Sequence, residues 1–183
     1  MKIDECVISG AWVVNTGAFE DERGAFSRLF CSRELENIVG QRTVVQINHS
    51  KTHSVGAIRG LHFQNAPNAE MKIVRCLKGC VFDVALDLRS ESPTFLNWAA
   101  VELTPDNHNS FVIPEGCAHG FQVLEENSEL LYLHTAFYSP DDEGGIRFDD
   151  PMTGIEWPLE PTDLSARDLS HPLLTNNFKG IIL

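Results

Sequence analysis

Apolar and polar positions alternate with a period of two through the middle of the chain. In Val81–Leu88, Phe82, Val84, Leu86 and Leu88 fall on one face, and Val81, Asp83, Ala85 and Asp87 on the other, as a β-strand requires. Lys72–Leu77, Phe95–Leu103, Asn109–Ile113, Gly120–Leu124 and Leu130–Ala136 read as further strands. Turn formers separate them: Ala66-Pro67-Asn68, Lys78-Gly79, Ser92-Pro93, Thr104-Pro105-Asp106-Asn107, Pro114-Glu115-Gly116 and Glu126-Asn127. Short strands broken by turns at such intervals predict an antiparallel sandwich or barrel. Ser32–Ile38 is the one early helix expected, with Ser32 at its N-cap and Glu34 and Glu36 in its first turns. No strand–helix–strand alternation and no GxGxxG or GxxxxGK[ST] loop occurs, which excludes the Rossmann and P-loop classes. Pro151, Pro158, Pro161 and Pro172 predict an irregular or short-helical C-terminal wrap. The expected fold is all-β, of jelly-roll type, with a few short peripheral helices.

Composition adds limits. A chain of 183 residues with no linker or repeat fits one domain, residues 1–183. Apolar residues make up 43% and charged ones 22%, ordinary for a globular protein. The apolar runs are short and carry charges, and Met1–Gly10 lacks a secretion-signal pattern, so a cytoplasmic protein is expected. Cys6, Cys31, Cys76, Cys80 and Cys117 are irregularly spaced, which argues for reduced thiols rather than a disulfide framework. The net charge of −12 argues against nucleic acid or an anionic membrane as partner. An anionic substrate would need a few clustered cations.

The densest polar segment is Arg59-Gly60-Leu61-His62-Phe63-Gln64. Strict alternation separates Arg59 from His62, but a bulge, favoured by Gly60, would turn both toward one cavity. Lys72 follows ten residues after His62, one hairpin away, so neighbouring strands could present the two side by side. His119 follows the Pro114-Glu115-Gly116 turn; Tyr132, Tyr138 and Glu143 form a third group, and Arg167-Asp168 a fourth. Each has a plain structural reading: a hydrogen-bonded core histidine, a packed aromatic, a solvated lysine, a helix-capping aspartate. Metal-binding jelly rolls of the cupin type use a His-x-His pair followed by Glu and His. Here Phe63 and Gln64 follow His62, and His49 and His53 stand too far apart along a strand, so no metal is expected.

Taken in order, several segments resemble the dTDP-4-dehydrorhamnose 3,5-epimerase family. They are Asp21-Glu22-Arg23-Gly24-Ala25-Phe26, Gln46-Ile47-Asn48-His49-Ser50, Ile58–Gln64, Lys72-Ile73-Val74-Arg75, Phe82-Asp83-Val84 with Asp87-Leu88-Arg89, Ser92-Pro93-Thr94-Phe95, Ile113–Gly116 with Ala118–Phe121, and Trp157-Pro158 with Ser165 and Asp168. The resemblance runs from about Gly17 to Leu174. It implies a cupin-type double-stranded β-helix, a homodimer that exchanges an N-terminal segment, and a nucleotide diphosphate 4-keto-6-deoxy sugar as substrate. It implies epimerisation at C3 and C5 through an enolate, without metal or other cofactor. It further implies His62 as general base, Asp168 as its orienting carboxylate, Tyr132 as the acid on the opposite face and Lys72 as stabiliser of the enolate oxygen. Arg23, Arg59 and His119 would bind diphosphate or sugar oxygens, and Gln46 and Asn48 the nucleotide end. Tyr138 would stack on the base, and Glu143 and Arg167 would contact the ligand.

Three positions depart from the family pattern. Arg28 stands where a Glu is usual at the nucleotide end, Leu133 replaces the Lys after the catalytic Tyr, and Glu70 replaces the Gln two residues before Lys72. These departures admit a 3-only epimerase or one acting on another nucleotide sugar. A non-catalytic sugar-nucleotide-binding cupin is the non-enzyme alternative. The joint presence of His62, Asp168, Tyr132 and Lys72 favours catalysis, since binding alone needs no opposed base and acid.

Overall fold

In the computed structural model, which describes residues 1–183, thirteen strands and two short helices follow one another. They are β1 (Lys2–Glu5), β2 (Trp12–Asn15), β3 (Phe19–Asp21), β4 (Gly24–Phe26), α1 (Glu36–Val39), β5 (Gln46–Thr52), β6 (Ile58–Gln64), β7 (Lys72–Lys78), β8 (Val81–Asp87), β9 (Trp98–Leu103), β10 (Asn109–Ile113), β11 (Cys117–Val123), β12 (Ser128–His134), β13 (Glu143–Gly145) and α2 (Ala166–Ser170). A six-stranded sheet in the order β1-β2-β10-β7-β12-β5 faces a five-stranded sheet in the order β13-β6-β11-β8-β9. Every pairing within them is antiparallel. This is the all-β jelly roll expected. The β3–β4 hairpin belongs to neither sheet.

The period-two pattern of β8 explains the layering. Val81 and Ala85 point between the sheets, into a cluster with Val74, Phe111, Phe121 and Leu130. Val84 and Leu86 point the other way and join Leu61, Phe63 and Ile146 beneath the C-terminal segment. Both faces of this sheet are therefore covered, and the aspartates of β8 sit on its inner face. They survive there because they are paired: Asp83 accepts from His119 at 2.7 Å, and Asp87 accepts from Arg89 Nε at 2.8 Å and Thr94 Oγ1 at 2.7 Å. An unpaired buried carboxylate would cost several kcal/mol, on the order estimated for buried ions.

Two expectations change. The early helix covers Glu36–Val39 rather than Ser32–Ile38, and Leu35 occupies its N-cap without a side-chain hydrogen bond. Its position is set by burial of Leu35, Ile38 and Val39 against the outer face of the six-stranded sheet, while Glu34 is drawn to the Met1 ammonium at 3.0 Å and to Arg28. The expected strand Phe95–Leu103 begins only at Trp98, since Leu96 adopts a left-handed φ of 62° that ends extended structure. The C-terminal wrap is irregular, as its prolines predict. Ile155, Trp157, Leu174 and Phe178 pack over the five-stranded sheet, and single parallel bridges tie Ala57 to Thr162 and Arg89 to Ile181. No helix is long and apolar enough to cross a membrane.

Candidate active site

The sheets part at one end of the sandwich around a cavity of about 270 Å³. The six-stranded sheet contributes Asn48 and Ser50 from β5, Lys72 from β7, and Tyr132 and His134 from β12. The five-stranded sheet contributes Arg59 and His62 from β6, His119 and Phe121 from β11, and Glu143 from β13. The expectation that Lys72 and His62 lie side by side on a hairpin is corrected: they come from facing sheets, and Lys72 Nζ donates to the backbone oxygen of His62 across the gap at 3.2 Å. The loop from Asn65 to Met71 is a crossover between sheets rather than a hairpin turn.

The expected bulge is present. His119 pairs with His62, but Phe121, two residues further along β11, pairs with Arg59, three residues back along β6. The extra residue rotates the strand and turns Arg59 and His62 toward the same cavity. Gly60 permits this with a φ of 115°. A Cβ at Gly60 would lie 2.6 Å from the His119 carbonyl oxygen and 2.7 Å from Gly120 Cα, contacts no side chain can make.

His62 Nε2 lies 2.7 Å from Asp168 Oδ1. A carboxylate only accepts, so Nε2 carries the proton, and in the neutral ring the lone pair is on Nδ1. Asp168 is held in turn: its N–H donates to Ser165 Oγ at 3.0 Å at the start of α2, and its Oδ2 accepts from Gly60 N–H at 3.4 Å. Its side chain is 3% exposed. Burial opposes its charge, but hydrogen bonds from His62, Ser165 and Gly60, with the nearby His62, outweigh it and hold the carboxyl below its ordinary range. The helix cap that the sequence allowed at Asp168 is Ser165 instead, whose side chain accepts from the Asp168 N–H.

Across the cavity, Tyr132 sits between two imidazoles. His134 stacks on it at 6.0 Å and 17°, and His119 meets it edge-on at 5.9 Å. Its hydroxyl lies 3.4 Å from Ser50 Oγ. Desolvation is the main cause that pushes the phenol above its ordinary value, with the Asp83 carboxylate adding to it. Such a group stays protonated at neutral pH and can donate a proton to a stronger base. His119 Nε2 donates to Asp83 Oδ1; burial raises the carboxyl of Asp83, with His119 opposing.

A second charged group lines the floor. Glu70 bridges Lys72 at 3.2 Å and His134 Nδ1 at 2.7 Å, with the Glu70, Lys72 and His134 side chains 8%, 10% and 11% exposed. Desolvation works against the Glu70 charge, but His134 and Lys72 together hold its carboxyl below the ordinary range. His134 Nε2 lies 3.3 Å from Asn48 Nδ2. At the mouth, Arg167 pairs with Glu143 at 2.5 Å, Glu143 accepts from the Tyr138 hydroxyl at 2.8 Å, and Gln46 Oε1 accepts from Tyr138 N–H at 3.2 Å. Arg59 is engaged by the Asp163 carboxylate at 2.9 Å.

Of the residues expected at the site, His62, Lys72, His119, Tyr132, Asn48, Arg59, Tyr138 and Glu143 line one cavity. Asp168 stands directly behind His62, and Gln46 and Arg167 reach the site through Tyr138 and Glu143. Arg23 stands apart, on the β3–β4 hairpin, 84% exposed and paired with Asp21. Ser50, His134, Glu70 and Asp83 were given no role from sequence. Ser50 and His134 were within reach of the alternation rule, each lying two residues from a site residue of its own strand, Asn48 and Tyr132. Glu70 stands two residues before Lys72 and bridges it to His134 on the adjacent strand, and Asp83 enters only through its pair with His119 on the adjacent strand β11.

The dTDP-4-dehydrorhamnose 3,5-epimerase family model matches residues 5–176. The dTDP-4-dehydrorhamnose 3,5-epimerase of Salmonella typhimurium is 45% identical over 176 residues, covering 95% of this chain and 96% of that one. A crystal structure of a dTDP-6-deoxy-D-glucose-3,5-epimerase from Legionella pneumophila, in complex with dTDP-4-keto-L-rhamnose, superposes with a TM-score of 0.89 at 38% identity, covering 94% and 92% of the two chains. A 3'-monoepimerase from Streptomyces bikiniensis in complex with dTDP-quinovose superposes at 0.85 with 31% identity, covering 92% and 85%. A family model spanning nearly the whole chain, with relatives alike over most of their length and His62 and Tyr132 lining one cavity from facing sheets, gives a single conclusion: the chain belongs to the dTDP-4-dehydrorhamnose 3,5-epimerase family.

Proposed function

We propose that the chain, acting as one domain over residues 1–183, epimerises C3 and C5 of a dTDP-4-dehydro-6-deoxyglucose-type sugar without a metal. The observation that carries this is the opposition of His62 on one sheet, backed by Asp168 of α2, to Tyr132 on the other. The C4 ketone acidifies the hydrogens on both neighbouring carbons. His62 Nδ1 removes a proton from one face, and Asp168 stabilises the imidazolium that forms. Charge moves to the C4 oxygen, where the Lys72 ammonium lowers its cost. Tyr132 returns a proton to the opposite face, inverting the centre, and its raised affinity for the proton keeps it loaded for that step. Arg59, His119 and Arg167 are the cations and donors available to the diphosphate, and Gln46, Asn48 and Tyr138 form the nucleotide end.

The working unit is a homodimer in the cytoplasm. Phe19 and Phe26 on the β3–β4 hairpin are 80% and 68% exposed, and Ile47 on the edge strand β5 is 62% exposed. A hairpin crossing to the partner would cover these surfaces and carry Arg23 to the partner's cavity, which explains its isolation within one chain. A 3-only outcome has a specific precedent in the Streptomyces bikiniensis relative. The two readings part in deuterated water: NMR of the sugar nucleotide should report solvent deuterium entering at C3 and C5. Entry at C3 only would leave the 3-only reading. Entry at full rate in His62→Ala would remove His62 from the mechanism.

A further inference from the structure

We propose that His62, Asp168 and His171 form a binding site for a divalent ion of zinc's class, and that the bound ion switches the epimerase off. One donor atom from each of the three residues lies within 4.8 Å of the others. Two imidazoles and a carboxylate are a common three-ligand zinc set, completed by water. Sequence spacing hides it, because His171 lies far from His62 in the chain and is brought to it only by the fold of the C-terminal wrap.

The site has a built shape. His171 is the C-cap of α2, and its ring meets that of His62 edge-on at 6.1 Å and 68°. Its Nε2 is buried without any hydrogen-bond partner, a state that costs free energy unless something uses the nitrogen. Space for the ring comes from Gly145, which pairs directly with His62 across β13 and β6. A Cβ at Gly145 would lie 2.2 Å from His171 Nε2, so any other residue there would expel the imidazole. Tetrahedral zinc with bonds of about 2.1 Å needs donors about 3.4 Å apart. Closing the site therefore takes up to about 1.4 Å of movement, which a C-cap residue just beyond a five-residue helix can supply.

The consequence for His62 follows from proton accounting. A neutral imidazole has one lone pair. In the free site Nε2–H faces Asp168, and Nδ1 holds that pair. With the ion on Nε2 the proton moves to Nδ1, no proton is lost, and the ring can accept none. This consequence rests on the reading of His62 as base; binding of the ion does not.

The test uses the purified full chain, freed of metal by chelator, titrated with Zn²⁺ by calorimetry and with Co²⁺ by visible absorption. One equivalent should bind with affinity on the order of micromolar, with the d–d bands of a nitrogen–oxygen site and no thiolate charge-transfer band. Deuterium wash-in should fall in step with occupancy and return on adding chelator. His171→Ala, and His171→Asn as a variant that keeps a planar polar group over Gly145, should retain wash-in and bind at least ~10-fold more weakly, as loss of a ligand or its support does. Unchanged affinity in both variants, or a thiolate band, would assign the metal to cysteines and overturn the proposal. Full zinc occupancy with undiminished wash-in would overturn the switch. If the wild type shows no wash-in at all, the epimerase reading fails while the cobalt spectrum still decides the site.

Discussion

Replacing Asp168 by Asn isolates the contribution of the dyad, and the structure fixes how the new amide must lie. In the wild type Oδ2 accepts from Gly60 N–H at 3.4 Å, while Oδ1 accepts from His62 at 2.7 Å. Gly60 can only donate and is locked by the bulge, so the single oxygen of Asn turns toward it. The Asn NH₂ then faces His62 Nε2, which must present its lone pair. The ring takes the opposite tautomer, with the proton on Nδ1 and no basic nitrogen in the cavity. Loss of the charge-assisted bond alone is worth ~1.5–3 kcal/mol, or ~10–150-fold in rate at a tenfold change per ~1.4 kcal/mol. The inverted tautomer extends the loss to about 10³–10⁴-fold in kcat, the scale seen when an orienting carboxylate is so replaced. KM should change little, since Asp168 is buried behind His62. Wash-in kinetics measure the rate, and ¹⁵N shifts of the His62 ring report the tautomer: Nε2 should be protonated in the wild type and unprotonated in the variant. A kcat within about tenfold of wild type, or an unchanged tautomer, would refute this account.

Two further outcomes concern the scaffold around the site. In Glu70→Gln, Lys72 and His134 lose the carboxylate they share, and stability should fall by about 3–5 kcal/mol, as for breaking a buried pair. Because the Glu70 carboxyl is held below its ordinary value, its contribution is present above about pH 4.3, its ordinary pKa, and is lost as pH falls through the lower folded value. The acid limb of Tm against pH should therefore be shallower in the variant, and an identical limb would remove Glu70 from the linkage. Gly60→Ala forces a methyl against the backbone of β11 at a φ that L-residues avoid; a loss of about 3 kcal/mol in urea unfolding is expected, together with loss of activity if the chain still folds, whereas a change below about 1 kcal/mol would contradict the fixed bulge.

Local pattern made the layered β architecture legible. The alternation of β8 identified its two faces because a strand's side chains alternate whatever it packs against, and the turn residues marked where strands end. The bulge at Gly60 was also readable, since only glycine suits such a backbone and strict alternation could not otherwise unite Arg59 with His62. The resemblance then named a candidate set of site residues, and most of them line one cavity. The early helix was misjudged because burial of Leu35, Ile38 and Val39 outweighed the capping signal of Ser32.

By itself the sequence determined what is local: strand, turn, bulge and the kinds of chemistry within reach. Only the tertiary structure decided which sheet each group occupies, and so which faces which. Lys72 opposes His62 rather than flanking it, Asp168 reaches behind His62 from the far end of the chain, and His171 fills the space that Gly145 leaves beside it. Such contacts join positions from 10 to 106 residues apart, and no period along the chain encodes them. They arise when the two sheets close on their common core and the C-terminal wrap covers the outer face. That closure brings His62, Asp168 behind it and Tyr132 across from it to one cavity.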